Sequence, residues 1–180
     1  IGGGNMAQAL IGGLIARGLP ATRITVSDPV EQVRQLLQEK DVQVTEDNVA
    51  AIQTADVVVF AVKPQVLAQV LKPLNGLFAG KLVISIVAGA EISTISKLLG
   101  TDQVVRVMPN TPALVQTGAH GLYATEKKKK KDRNLASQVL AATGLTIWVN
   151  TEAQIDAVTA VSGSGPAYFF YLMESMIRAG

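Results

Sequence analysis

Hydrophobic positions along the chain alternate between short, nearly continuous apolar runs and longer stretches with helical spacing. The runs at residues 57–62 and 81–87 are rich in β-branched residues, which indicates strands that are covered on both faces. Shorter segments predict further strands at residues 23–27, 42–45, 103–108, 119–124 and 145–150. Between and after them lie predicted helices, at residues 5–17, 30–40, 48–54, 65–74, 91–99, 134–142, 152–161 and 167–179.

Glycine and proline mark where several of these elements end. Gly18 and Pro20 end the first helix, and Asp28-Pro29 is expected to cap the second. Residues 109–112 contain two prolines and are expected to form an irregular loop, because proline fits neither a strand ladder nor a helix interior. Residues 162–166 (Ser-Gly-Ser-Gly-Pro) are expected to interrupt the last helical region.

The order of these elements predicts the fold class. Strands that alternate with helices are typical of an α/β fold, with a doubly wound, mostly parallel sheet and helices on both faces. After Thr151 the pattern changes, and apolar helical segments follow that contain the aromatic residues 168–171. We therefore expect residues 1–151 to form the sheet domain and residues 152–180 to form the first helices of a second, all-helical domain.

Composition and charge narrow the classes of function. Hydrophobic residues make up 48% of the 180 positions, which suits a packed core, and aromatic residues make up 4%, which does not favour a stacking surface for nucleic acid. The net charge of +2 depends on the lysines at 127–131, without which 11 basic residues face 14 acidic ones. This run predicts a solvated, mobile loop, so we expect no nucleic-acid partner. The apolar runs are also too short for a membrane helix.

A glycine-rich turn at the start of the chain is the first candidate site. Ile1 is expected to be the last residue of a buried strand, and Gly2, Gly4 and Ala7 follow with the spacing G-x-G-x-x-A before a helix. The first glycine permits a tight turn, the second lets a pyrophosphate approach the main chain, and the small third residue lets helix and strand pack closely. With phosphates on the amides of the helix N-terminus, this pattern predicts a Rossmann-type dinucleotide site.

Residues 27–29 are expected to lie at the ribose end of that site. Ser27 and Asp28 end the next predicted strand, where an acidic residue binds the ribose 2′-hydroxyl of NAD and a basic one accepts the 2′-phosphate of NADP. Ser27 could bind phosphate, whereas Asp28 would repel it. Asp28 could equally serve only as a helix N-cap, so the choice between NADPH and NADH stays open.

Three further strand ends carry candidate residues, because ligands of such sheets bind beyond the carboxyl ends of the strands. Lys63 could reach a phosphate or ribose, or instead cap a helix or face solvent. Ala88 and Gly89 are small enough for a nicotinamide ring to approach the backbone. Asn110 could hydrogen-bond a carboxamide or the substrate, or instead satisfy its own loop.

The sequence lacks the residues that several other chemistries need. Without cysteine there is no disulfide, thiolate nucleophile or cysteine zinc site. His120 is the single histidine, so neither a Ser-His-Asp triad nor a histidine metal cluster has a supporting motif, and we interpret His120 as structural. No side chain is assigned as a catalytic acid, base or nucleophile, and no metal is expected.

Four segments together resemble the pyrroline-5-carboxylate reductase family. They are residues 1–7 (Ile-Gly-Gly-Gly-Asn-Met-Ala), 61–64 (Ala-Val-Lys-Pro), 107–112 (Val-Met-Pro-Asn-Thr-Pro) and 156–168, which contains Asp-Ala-Val-Thr and Ser-Gly-Ser-Gly-Pro-Ala-Tyr. They occur in the family's order across essentially the whole chain. The last segment is far more specific than a glycine-rich turn.

The resemblance implies an enzyme that reduces 1-pyrroline-5-carboxylate to L-proline with NADPH or NADH, the last step of proline biosynthesis. It implies a cytoplasmic homodimer, or a larger homo-oligomer, that assembles through the C-terminal helices. It places Glu152 near the substrate and Asn48 near the adenosine ribose or its phosphate. The dinucleotide contacts that it implies are Gly2, Gly3, Gly4, Asn5, Met6, Ser27, Pro29, Asn48, Val62, Lys63 and Ala88. Their neighbours Ile1 and Gly89 complete the predicted cofactor site.

The chain departs from the family pattern in two respects. The family continues into a substrate-binding loop that this chain does not contain, so we expect an incomplete active site, and the run 127–131 is foreign to the pattern.

A β-hydroxyacid dehydrogenase has a similar glycine turn, but it needs a lysine on a helix after the domain boundary, and residues 152–180 contain none. A non-catalytic dinucleotide-sensing module would keep the fold without the chemistry.

Overall fold

The computed structural model describes residues 1–126 and 129–180, which form an α/β sheet domain followed by consecutive helices. The strands are β1 (Thr25–Ser27), β2 (Gln43–Thr45), β3 (Val57–Phe60), β4 (Leu82–Ser85), β5 (Val104–Met108), β6 (Gly118–Tyr123) and β7 (Gly144–Trp148). The helices are α1 (Asn5–Ala16), α2 (Glu31–Gln38), α3 (Asn48–Gln53), α4 (Leu67–Leu71), α5 (Ile92–Leu99), α6 (Lys130–Ala141), α7 (Ala153–Val158) and α8 (Gly165–Ala179). Short 3₁₀ helices span Ala21–Arg23, Pro64–Val66, Lys72–Leu74 and Thr111–Val115, and a π-helix spans Thr159–Gly163.

The strands form two groups that the first residues of the chain connect. β1 pairs in parallel with β2, and the other strands pair in the order β3-β4-β5-β6-β7, in parallel except between β5 and β6. The Ile1 nitrogen donates to the Val59 carbonyl at 2.8 Å, and the Gly2 nitrogen donates to the Ser27 carbonyl at 2.8 Å. Ile1 and Gly2 therefore lie between β1 and β3. The predicted mostly parallel sheet is confirmed, with one antiparallel pair.

The direction in which strands are added reverses at Ile1. From this residue the chain adds β1 and then β2 on one side, and afterwards β3, β4 and β5 on the other. A reversal of this kind opens a crevice outside the carboxyl ends of the strands. Ligands of doubly wound sheets bind in that crevice. The residues that follow Ile1 and β3 border it and are therefore candidate ligand contacts.

Helices cover both faces of the central sheet. Phe60 and Val83 pack in one core cluster with Leu71 of α4, whereas Ile84 packs in another with Leu10 of α1. Successive strand residues point to opposite faces, so the neighbours Val83 and Ile84 fill different cores. This explains why the predicted strands at residues 57–62 and 81–87 are almost continuously apolar, and it confirms helices on both faces.

The segment predicted to be an irregular loop at residues 109–112 is helical in part. A 3₁₀ helix spans Thr111–Val115, with Pro112 in its first turn. The first residues of a helix donate no hydrogen bond within it, so a proline there loses no bond. The prediction was therefore wrong for Thr111 and Pro112, because proline excludes only the interior of a helix.

The lysine run is also helical in part. Lys130 and Lys131 form the start of α6, together with Asp132, so the prediction of a mobile loop was wrong for these two lysines. Lysine has a high helix propensity, and Asp132 places a favourable negative charge in the first turn. Lys127 and Lys128 lie outside the described residues.

Residues 162–166 change the type of helix without ending the helical region. The π-helix Thr159–Gly163 follows α7 directly, and α8 begins at Gly165 with Pro166 in its first turn. Proline is tolerated at that position because its missing N–H is not needed there. The predicted interruption is therefore a single wide turn between two helices, a feature that is frequent at functional sites.

The helix α8 exposes a large apolar surface. Eight of its apolar side chains are each more than half exposed: Tyr168, Phe169, Phe170, Tyr171, Leu172, Met173, Met176 and Ile177. A contiguous apolar surface of this kind marks an interaction site. We therefore expect another protein surface to cover α8 in the assembled protein.

His120 is buried in β6, so its protonation makes the stability of the folded protein depend on pH. Its Nε2 lies 3.0 Å from the Thr143 Oγ1. Burial lowers the pKa of His120 below the ordinary value of 6.5, and hydrogen bonding to the Thr143 main chain opposes this shift. The folded protein therefore keeps His120 neutral at a pH at which the unfolded chain already binds a proton.

We expect the folded state to lose stability as the pH falls below about 6.5, because protonation then favours the unfolded chain. At one pH unit lower, the loss from this residue amounts to at most about 1 kcal/mol. The variant His120→Asn should lack this component. Thermal unfolding of both proteins at about pH 7.5 and about pH 5.5 measures it, and equal pH dependence in the two would contradict the prediction.

Candidate functional site

Close contacts around the first two glycines of the turn leave no room for side chains. Gly2 has a φ of +89°, and a Cβ there would lie 2.9 Å from the Ala61 carbonyl oxygen. A Cβ at Gly3 would lie 2.6 Å from the Val33 Cγ1 in α2. Packing within the protein therefore explains why positions 2 and 3 require glycine.

Gly4 differs from its neighbours because the protein leaves space around it. Its φ of −67° suits any residue, and apart from its chain neighbours no atom of the described residues lies within 4 Å of the position of an added Cβ. Gly4 is the N-cap of α1, and no side chain caps this helix. The amides of Asn5 and Met6 lie in the first turn, where no intrahelical acceptor is available. The first turn of α1 therefore offers main-chain donors and open space of the kind that binds phosphate in other helices.

Asp28 connects the glycine turn to the end of β1. Its Oδ2 accepts a hydrogen bond from the Gly3 nitrogen at 2.8 Å, and its Oδ1 accepts one from the Val30 nitrogen at 2.9 Å. Because Asp28 is largely buried, these charge-assisted bonds are shielded from water. The N-cap of α2 is Val30, so the prediction of Asp28 as the N-cap was wrong. Its carboxylate holds the turn.

Ser27 lies deeper than its predicted contact with phosphate suggests. Its side chain is buried, and its Oγ has no hydrogen-bond partner among the described residues. The backbone carbonyl of Ser27 accepts the bond from Gly2 at the centre of the turn. Ser27 therefore supports the turn through its main chain, and contact between its hydroxyl and a phosphate stays a prediction.

The segments that follow β3 and β4 lie at the same edge of the sheet as the glycine turn. Phe60 and Ser85, the last residues of these strands, are paired in the parallel register. Residues 61–63 and 86–89 therefore leave the sheet side by side, and the Ile86 nitrogen donates to the Phe60 carbonyl at 3.1 Å. Since the glycine turn contacts Ala61 and Val62, the structure brings three of the predicted segments to one edge.

Three of the predicted site residues are exposed at this edge. The side chain of Lys63 has no hydrogen-bond or ion-pair partner within residues 1–126 and 129–180. Ala88 and Gly89 are exposed, and within residues 1–126 and 129–180 only the chain neighbours of Gly89 can lie within 4 Å of a Cβ added to it. The main chain after β4 is therefore open to a flat group, and the exposed Lys63 lies on the segment that follows the neighbouring strand β3.

A cleft beside α3 brings Pro29 and Asn48 together. Its volume is about 500 Å³, within the usual range for small-molecule sites. Asn48 is the first residue of α3, whose N-terminus Asp47 caps by accepting from the Val49 nitrogen at 2.8 Å. The remaining walls are mainly apolar and suit a flat, neutral group such as adenine. They are formed by Val49, Val66, Val70, Pro73 and Leu74, with Glu46, Asp47 and Gln69 as polar members.

Asn110 uses both ends of its amide within the protein. Its Oδ1 accepts from the Ala119 nitrogen at 2.9 Å, and its Nδ2 donates to the Ser162 Oγ at 3.1 Å. These contacts favour the structural alternative, in which the amide satisfies its own surroundings. They also connect the chain after β5 to the π-helix.

Glu152 belongs to a charged cluster that joins α7 to the sheet. Its Oε1 accepts from the Arg106 Nη1 at 3.1 Å and from the Ile92 nitrogen at 2.8 Å. Arg106 lies in β5, with its side chain 4% exposed, and its Nη2 donates to the Asp156 Oδ1 at 2.9 Å. Arg106 was not predicted as a site residue, although a single charge inside the apolar run 103–108 indicates a buried ion pair. Glu152 therefore has a structural role, and its contact with substrate stays a prediction.

Two other kinds of site have no support in the part of the chain that the structure describes. In residues 1–126 and 129–180, no three His, Asp or Glu side chains are arranged to hold a metal ion. Among the helices in these ranges, none combines the length and the apolar character that crossing a membrane requires.

Two family models match parts of this chain. Residues 1–89 match the model described as NADP oxidoreductase, coenzyme F420-dependent. Residues 152–180 match the model described as pyrroline-5-carboxylate reductase dimerisation. The first match covers the glycine turn and the segments after β3 and β4, and the second covers the helices that follow the sheet.

Comparisons over the whole chain include several pyrroline-5-carboxylate reductases. A pyrroline-5-carboxylate reductase of Haemophilus influenzae is 49% identical, over 99% of this chain and 67% of its own. A solved structure of a pyrroline-5-carboxylate reductase from Coxiella burnetii is 43% identical with a TM-score of 0.91, over 99% of this chain and 67% of that one. The Plasmodium falciparum pyrroline carboxylate reductase, solved with NADP bound, is 28% identical with a TM-score of 0.87, over 99% and 66%. This chain spans about two thirds of the length of these relatives.

Proposed function

The chain belongs to the pyrroline-5-carboxylate reductase family, and we propose that residues 1–151 are its dinucleotide-binding domain and residues 152–180 the start of its helical dimerisation domain. The enzyme is an NAD(P)H-dependent oxidoreductase that reduces 1-pyrroline-5-carboxylate to L-proline. The open space around Gly4, at the uncapped start of α1, is the observation that carries the proposed binding site.

The proposed dinucleotide site runs along the carboxyl edge of the sheet. The diphosphate lies against Gly4 and the amides of Asn5 and Met6, because these donors lack acceptors and α1 presents its positive end there. The adenosine lies in the cleft lined by Pro29 and Asn48. Two features support this assignment. The main-chain amides at the start of α1 suit an anion, and the apolar walls of the cleft suit a purine.

The nicotinamide end is proposed to lie across the segments after β3 and β4. When bound, the dinucleotide supplies the hydride that the imine carbon of the substrate accepts. The exposed main chain at Ala88 and Gly89 allows the close approach of a flat ring, and Lys63 and Val62 lie on the neighbouring segment. Glu152 and Asn110 are the proposed substrate contacts, and they would bind the substrate while keeping their hydrogen bonds within the protein.

The absence of an assigned acid–base pair agrees with this reaction. A protonated imine is a strong electrophile, so it accepts a hydride without prior attack by a side chain. The main contribution of the protein is then to align the two reactants at near-contact distance. Main-chain contacts and small residues serve this purpose better than a nucleophile would.

An activity assay on the full-length protein tests the proposal. With 1-pyrroline-5-carboxylate and either NADPH or NADH, we expect oxidation of the cofactor together with the appearance of proline in equal amounts. Omitting the imine gives the control for background oxidation. A complete protein that binds the dinucleotide but shows no turnover would support the non-catalytic sensing module. Turnover of β-hydroxyacids instead of the imine would support the dehydrogenase alternative.

We further propose that the enzyme is a homodimer, or a larger homo-oligomer, that assembles through its C-terminal helices and works in the cytoplasm. The match of residues 152–180 to a dimerisation family and the exposed apolar side chains of α8 support the assembly. The need for NAD(P)H, which cells keep inside, supports the location. Light scattering of the full-length protein should give at least twice the mass of one chain.

A further inference from the structure

Arg34 of α2 lies beside the part of the site where the two possible dinucleotides differ. Its Nη1 donates to the Asp28 carbonyl oxygen at 2.7 Å, which fixes the guanidinium next to the loop that follows β1. NADPH differs from NADH only by a phosphate on the adenosine 2′-oxygen. Doubly wound sheets hold this ribose at the loop after their second strand in the chain, which here is β1, following Ile1.

The second terminal nitrogen of the Arg34 guanidinium is weakly engaged. Its Nη2 lies 3.8 Å from the Glu46 Oε2, which is too long for a hydrogen bond. The side chain of Glu46 is 78% exposed and that of Arg34 is 19% exposed. Because water screens an ion pair of this kind, an anion with better geometry can replace Glu46.

The other charges near this loop would repel a phosphate. Glu46 and Asp47 line the adjacent cleft together with Pro29, and Asp28 ends the strand itself. The Asp28 carboxylate accepts hydrogen bonds from the main-chain amides of Gly3 and Val30, whereas Arg34 is bonded to the Asp28 main-chain carbonyl. Arg34 thus places a cation among three carboxylates, at the position where a 2′-phosphate would need one.

We propose that Arg34 sets the cofactor preference by binding the adenosine 2′-phosphate in place of Glu46, so that the enzyme favours NADPH. A planar guanidinium offers two parallel donors to phosphate oxygens, and its geometry suits this contact better than an ammonium does. Without Arg34, Asp28 would still be able to accept the ribose 2′-hydroxyl of NADH. The inference rests on the proposed dinucleotide site.

Calorimetric titration of the full-length enzyme with NADPH and with NADH tests this role. We expect Arg34→Gln to weaken NADPH binding about tenfold or more and to change NADH binding less than about twofold. Arg34→Lys keeps the charge and should give an intermediate loss. Glu46→Gln frees the guanidinium and should strengthen NADPH binding about twofold. Arg23→Gln, at an exposed position outside the cleft, is the matched control and should change neither.

The possible outcomes separate this inference from the proposed function. If Arg34→Gln weakens both dinucleotides equally, Arg34 only supports the loop, and the inference fails. An unchanged affinity for NADPH overturns it as well. If the wild-type enzyme binds neither dinucleotide, the proposed function fails instead. Should Arg34→Gln not fold, Arg34→Lys and Glu46→Gln decide, because opposite effects of these two on NADPH alone are expected only from a phosphate contact.

Discussion

The Gly4→Ala enzyme is expected to bind both NADPH and NADH about ten- to a hundredfold more weakly than the wild type while it keeps its fold. In the part of the chain that the structure describes, only the chain neighbours of Gly4 can lie within 4 Å of the added Cβ, and the φ of −67° suits alanine. The methyl group would instead occupy the space through which a phosphate reaches the amides of α1. Each charge-assisted hydrogen bond lost in this way contributes about 1.5–3 kcal/mol.

Titration calorimetry and thermal unfolding together measure this effect. Alanine at a helix N-cap costs up to about 1 kcal/mol, so only a small fall in the unfolding midpoint is expected. Gly12→Ala is the matched control, since it adds the same methyl group within α1 at a position where, outside the helix backbone and the chain neighbours, no atom of the described residues lies within 4 Å. It should leave affinity unchanged and stabilise the helix by up to about 1 kcal/mol. Unaltered affinity in Gly4→Ala would show that the phosphates do not lie at this turn.

The Arg106→Met enzyme is expected to be less stable than the wild type by about 2–3 kcal/mol. Its side chain is almost fully buried, and the substitution leaves Glu152 and Asp156 without their cation. Breaking a buried ion pair costs about 3–5 kcal/mol. The expected value is lower because the Asp156 side chain is 72% exposed and Glu152 keeps its bond from the Ile92 nitrogen.

Thermal unfolding should show a midpoint lower by roughly 5–10 °C for a domain of this size. Arg23→Met gives the same change of residue at an exposed position and should alter stability by less than about 0.5 kcal/mol. Combining Arg106→Met with Glu152→Gln should restore part of the loss, because no buried negative charge then remains at Glu152. Equal midpoints for Arg106→Met and the wild type would show that this cluster does not hold α7 to the sheet.

Much of the fold could be predicted because its signals are local. The continuous apolar runs of β3 and β4 reflect burial on both faces, which the structure confirms. The spacing of Gly2, Gly4 and Ala7 likewise reflects contacts within one turn. The helix types at Pro112 and Pro166 were missed, because the effect of proline depends on whether it falls in the first turn of a helix or in its interior.

The parts of the site that could not be predicted depend on contacts between residues far apart in the chain. The bond from Gly3 to Asp28 spans 25 positions, and the bond from Arg106 to Glu152 spans 46. Composition and spacing give no distance between such side chains. The same holds for the contact of Arg34 with Glu46, which requires the positions of both α2 and the chain after β2.

The position of Glu152 determines where the enzyme can bend. Its carboxylate accepts from the start of α5 and from β5 at once, so α7 is expected to move with the sheet as one rigid body. The π-helix Thr159–Gly163 is held as well, because the Asn110 Nδ2 donates to the Ser162 Oγ, so any hinge between the sheet and α8 falls beyond Ser162. A movement of α8 relative to the sheet would therefore have to occur between the π-helix and α8, which begins at Gly165.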